Sequence, residues 1–167
     1  MASQESFDIT TGCDLQEVDN AVNQARRELT NRFDFKNVLV EIDYDRTKAT
    51  LGIHTTDEYK LDAVWEVLQA RLVARNVPLK NLQRGQIDKA GQSTVRQQVT
   101  MVQAIDADLG RKIVKFIKDQ KFKKAQTQIQ GDAVRVSGPS RDELQAVITA
   151  VKKEDWGVEL KFGNFRA

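Results

Sequence analysis

An α+β fold of two tandem β-α-β-β-α-β units with antiparallel sheets is predicted by three observations on this 167-residue chain. Segments with apolar residues at helical spacing alternate with segments of period two, in the order strand, helix, strand, strand, helix, strand, and that order occurs twice. Side-chain spacings recur with it, since Leu61, Val64 and Leu68 return as Leu144, Val147 and Val151, and Phe33 returns as Phe116, all at one offset. Between the two runs, residues 85–93 (GQIDKAGQS) carry two glycines and little periodicity, as a linker does. Each unit so built is a ferredoxin-like sandwich, with two helices on one face of its sheet and the other face uncovered. The expected domains are 1–84 and 94–167.

The first unit opens on a strand over Ser6 to Thr10, with Phe7 and Ile9 inward. Asp14 is the N-cap of a helix reaching about Asn31, with Glu17 in capping-box position and Val18, Val22, Ala25 and Leu29 as its apolar stripe. Alternation in 38–43 and 48–54, joined by a turn at Asp45 to Thr47, gives a hairpin with Val38, Val40, Ile42, Ala49, Leu51 and Ile53 inward. Asp57 precedes a second helix, whose Leu61, Val64, Trp65, Leu68 and Leu72 keep helical spacing until the approach to Pro78. A short strand is expected at Leu79 to Arg84. Phe33 and Phe35 are expected to pack the end of the first helix onto the sheet.

The second unit repeats the plan. A strand at Thr94 to Gln103 leads to a basic amphipathic helix, where Leu109, Ile113, Phe116 and Ile117 oppose Arg111, Lys115 and Lys118. The next strand sets Ala125, Thr127 and Ile129 against Gln126, Gln128 and Gln130. Gly131 and Asp132 turn the chain, and the returning strand sends Arg135 toward the glutamines. Ser140 and Glu143 form another capping box, ahead of Leu144, Val147, Ile148 and Val151. A last strand covers about Val158 to Phe162, and it can pair within its own half or exchange with the equivalent edge of the other.

Charge narrows the function. Residues 1–83 carry 10 Lys+Arg against 14 Asp+Glu, residues 84–167 carry 16 against 10, and the whole chain is only +2. The total lacks the cationic field of a protein that coats nucleic acid, while an anion is expected to prefer the second half. The single cysteine, Cys13, forms no intramolecular disulfide and fits a reducing compartment. No apolar run reaches membrane-spanning length, so a cytoplasmic protein without membrane contact is expected. With one histidine, no Walker loop and no GxGxxG, nothing points to an enzyme, a metal site or a cofactor.

The uncovered faces are therefore the candidate sites. In the first half that face would carry Asp8, Glu41, Asp43, Thr50 and His54. In the second it would carry Arg96, Gln98, Thr100, Gln126, Gln128 and Arg135, with the Lys121 to Lys124 run near one end. Arg96, Arg135 and Lys123 would supply charge for phosphates, and Gln98, Gln126 and Gln128 would orient polar groups. Base stacking on the sheet, the usual RNA mechanism, has no aromatic to use there.

The stretches SFDI (6–9), ELTNRFDFKN (28–37), KIVKFIKDQKFKKAQTQIQGDAVRV (112–136), RDELQAVI (141–148) and FGNFR (162–166) together resemble the bacterial YajQ family of nucleotide-binding proteins. The resemblance implies two ferredoxin-like domains and binding of nucleotides or nucleic acid without catalysis, with cyclic di-GMP effectors that act through protein partners among the members; the nucleotide expected here is GTP, ATP or cyclic di-GMP. An RNA-associated or protein-interaction role with weak nucleotide binding is the alternative. The matching polar positions are Gln126, Gln128, Gln130, Arg135 and Arg141, so Arg141 joins the candidate residues.

Overall fold

The computed structural model describes residues 4–167, in two compact units that divide the chain at different places from those expected. One unit is continuous, Cys13–Val102; the other joins the residues up to Gly12 with Gln103–Ala167. The continuous unit holds α1 (Leu15–Asn31), β2 (Val40–Asp45), β3 (Thr50–Thr55), α2 (Glu58–Ala74), β4 (Leu82–Ala90) and β5 (Thr94–Met101), and its antiparallel sheet runs β2-β3-β5-β4. The discontinuous unit holds β1 (Glu5–Thr11), α3 (Ala107–Asp119), β6 (Gln126–Gln130), β7 (Ala133–Gly138), α4 (Arg141–Lys152) and β8 (Leu160–Arg166), ordered β6-β7-β1-β8. Both are ferredoxin-like, with their leading strands exchanged.

The exchange has a local cause. Residues 85–93, expected to be a linker, instead continue β4 to Ala90 and reverse over Gly91–Ser93 in a 3-10 turn, with Gln92 and Ser93 at φ 59° and 60°. A reversal this short costs little loop entropy, so β5 pairs with the strand just before it. It thereby takes the central position of the sheet containing β4. The equivalent position in the other sheet is filled by β1, paired with β7 and β8.

The helices begin where short polar side chains satisfy open N–H groups. Asp14 accepts from Gln16 and Glu17, Asp57 from Lys60, Asp106 from Leu109 and Ser140 from Glu143. Their apolar stripes close two cores. In the continuous unit Leu51, Ile53 and Val99 meet Val18, Val22, Leu61, Leu68 and Leu72; in the discontinuous one Phe7, Ile9, Val134 and Val136 meet Ile113, Ile117, Leu144 and Val147. Phe7 is fully buried, which contributes roughly 2–3 kcal/mol of transfer free energy.

The FDF turn divides its aromatics. Phe35 is buried as expected, under the guanidinium of Arg32 and the ammonium of Lys60. Phe33 does not pack on the sheet and is 91% exposed, because the 3-10 turn Phe33–Phe35 points only one of its two rings inward.

Candidate functional site

The uncovered face of the discontinuous unit is built by register. Arg135 on β7 lies opposite Gln128 on β6 and Asp8 on β1, and Asp8 lies opposite Gly163 on β8. A neighbouring row runs Gln126, Ser137, Ser6 and Arg166. Adjacent strands are about 4.8 Å apart, so each row crosses roughly 14 Å of sheet. All six outward side chains of the central strands β7 and β1 are small or polar, and none is aromatic.

Asp8 organises this face. Its carboxylate accepts from Arg135 Nε at 2.9 Å and from an Arg135 terminal nitrogen at 3.4 Å, and it also accepts from the Asn164 amide at 2.6 Å. Those bonds, Arg135 first, hold the Asp8 carboxyl below the usual carboxylate range against partial desolvation, and the Arg135 guanidinium is raised in turn. Two of the five guanidinium N–H donors face Asp8. Gln130 donates to the Gln128 carbonyl at 3.2 Å, so the β6 amides form a short chain along the sheet edge.

Of the residues expected on one face, the structure brings Gln126, Gln128 and Arg135 together. Lys123 lies exposed in the segment ahead of β6. Arg141 opens α4 on the helix side and pairs with Glu5 at 3.2 Å. Arg96 and Gln98 do not join them, because β5 belongs to the other sheet. There Arg96 lies between His54 and Asp88, and Gln98 lies opposite Gly52, on a face whose β2 edge carries Glu41 and Asp43. The expected contrast between an acidic and a basic half changes with the strands: the continuous unit has 13 Lys+Arg against 13 Asp+Glu and the discontinuous one 13 against 11. Asp8, assigned by sequence order to the acidic face, is the carboxylate at the centre of the other.

His54 stands in an arrangement that invites a catalytic reading, with Glu41 3.4 Å from Nδ1 and the Thr94 hydroxyl 2.8 Å from Nε2. The hydroxyl proton goes to the Gly91 carbonyl at 2.7 Å. His54 Nε2 then faces the Thr94 oxygen and not its proton, so it is not placed to activate that hydroxyl as a base. Thr94, buried in the turn between β4 and β5, holds that turn closed. Among the described residues no group of three or more His, Cys, Asp and Glu is placed to hold a metal ion, and no helix is long and apolar enough to cross a membrane.

The profile of the family described as nucleotide-binding protein YajQ-like matches residues 5–166. The chain belongs to that family. Relatives match nearly all of it: a nucleotide-binding protein of Koribacter versatilis is 48% identical over 99% of both chains, and one of Bacillus cereus is 46% identical over 99% of this chain and all of its own. A Bacillus anthracis protein, also named nucleotide-binding, has the same 46% identity and coverage.

Sequence order conceals three members of this face. Asp8 was assigned to the wrong sheet, and Asn164 and Arg166 lie on β8 beyond the strand expected to end near Phe162. The FGNFR stretch carries both residues, and its asparagine, at φ 53°, was the available signal for the irregularity that turns the amide toward Asp8.

Proposed function

We propose that this protein binds a nucleotide without turning it over, on the uncovered face of the discontinuous unit. The observation that carries the reading is the Gln128–Arg135–Asp8 row, in which a carboxylate fixes the guanidinium and leaves outward donors beside the Gln126 and Gln128 amides. Such a donor set suits phosphate oxygens and base edges alike. Lys123 and Arg166 add charge at either side. The names of the relatives support a nucleotide as the ligand. Cyclic di-GMP, acting through a protein partner in the cytoplasm, is the nucleotide the family resemblance favours, with GTP and ATP as competitors. Full-length chain is titrated with each at low and physiological salt. Arg135→Ala combined with Gln128→Ala is expected to weaken the tightest nucleotide at least tenfold, and unchanged affinity removes this face from the reading.

An RNA-associated or protein-interacting module is the second reading, favoured by Phe33. Its ring is 91% exposed on a turn anchored by the Arg32–Asp34 pair at 2.7 Å and by Lys60 donating to the Asp34 carbonyl at 2.6 Å. A solvated aromatic on an anchored turn is a ready anchor for a base or a partner. Binding of a short single-stranded RNA that collapses with salt whatever its sequence favours this second reading over a nucleotide pocket.

A further inference from the structure

The uncovered face supplies donors for phosphate but no aromatic on which a base can stack. An aromatic lies at the end of the same sheet, on its helix side. A pocket of about 310 Å³ opens where the start of β1, helix α4 and the end of β8 meet, at the lower end of the size range of small-molecule sites. Leu144 and Ile148 give it an apolar floor, backed by the fully buried Phe7. Phe165 lines it with a ring 65% exposed, its centroid 6.0 Å from that of Phe7. Arg141, steered by Glu5, and Arg166 stand at its rim.

Two lining residues tie the pocket to the face. Ser6 and Arg166 line it and also end the Gln126–Ser137–Ser6–Arg166 row. A bare anion would use the guanidinium groups and leave the floor wet. A neutral acyl chain would cover the floor and bring no anion to Arg166. A planar base joined to a phosphate answers both.

We infer that this pocket receives the base of the nucleotide, stacked on Phe165, while Arg166 meets the phosphate and directs it onto the donor row of the uncovered face. Gln145, also in the lining, supplies an amide for the base edge. The inference rests on the nucleotide reading above, and its test separates the two.

The full chain is titrated with GMP, GTP, cyclic di-GMP and inorganic pyrophosphate, as native protein and as Phe165→Ala and Arg166→Gln. Phe165→Ala is expected to weaken nucleotides about 5- to 150-fold, the usual worth of one stacked base, and to leave pyrophosphate unchanged. Arg166→Gln is expected to weaken both. On the native chain, GMP is expected to shift the backbone amide resonances of Ser6, Gln145 and Arg166, a readout independent of any variant's folding. Nucleotide affinity that survives Phe165→Ala, with shifts confined to β6 and β7, overturns the pocket and leaves the nucleotide reading standing. A native chain that binds pyrophosphate as tightly as GTP also overturns it, and one that binds no nucleotide removes both.

Discussion

Asp8 and Arg135 meet across β1 and β7 with side chains 15% and 28% exposed, between the surface pair that contributes little and the buried pair that is costly to break. Asp8→Asn keeps the shape and removes the charge, so a loss of about 1 kcal/mol is expected in urea unfolding at pH 7. The pH dependence follows from the lowered Asp8 pKa. A carboxyl held below its unfolded value, about 3.9, contributes stability that is fully present above that value and lost as pH falls through the folded one. The difference between native and Asp8→Asn protein should therefore be constant from about pH 5 to 8 and shrink below about pH 4. The same substitution releases Arg135 from its counter-charge. Nucleotide affinity on this face should rise severalfold, most visibly at low salt, and isothermal titration checks it.

At the scale of elements, the four helices were readable because their signals are local. Asp14, Asp57 and Ser140 mark starts by side-chain chemistry confined to one turn, and the stripes through Leu61 to Leu72 and Leu144 to Val151 need no knowledge of what they face. Strand β4 was half hidden for the opposite reason. Gln83 through Lys89 are all exposed, so this edge strand shows no alternation, and the register shift between Arg84 and Ile87 breaks what period remains. Gly85 sits in that irregularity. A Cβ there would stand 3.0 Å from the Gln98 carbonyl oxygen, a backbone atom that has no side-chain freedom to yield. Gly85→Ala is expected to lower stability by about 1–3 kcal/mol, as overpacking does, measured by the urea midpoint. The candidate face was legible in its β6 and β7 members because a hairpin of adjacent strands fixes its own register, as Gln128 and Arg135 show. Arg96 and Asp8 were misplaced because their partners depend on which distant strand wins a central slot, and residue pattern does not encode that choice.

For the whole molecule, the exchanged strands redraw what can fold alone. A fragment of residues 1–84 lacks β5, the central strand next to β3 and β4, whereas residues 13–102 hold every element of the continuous unit. Fragment 13–102 should give a cooperative thermal transition and a dispersed amide spectrum, and fragment 1–84 should give neither; the reverse result would return the boundary to 85–93. Synthesis on the ribosome meets this architecture from the other direction. Strand β1 leaves the exit tunnel ahead of both described sheets' other strands, and Asp8 waits for Arg135, 127 residues downstream, while the continuous unit between them can already close. At about 5–20 residues per second that wait lasts roughly 6–25 s. Throughout it Phe7 and Ile9, both fully buried at the end, lack the β7 and β8 partners that will cover them. Strand β1 is made before the strands that house it, so a nascent chain of this protein carries two uncovered apolar side chains, open to chaperones and to aggregation, until β7 and β8 are made.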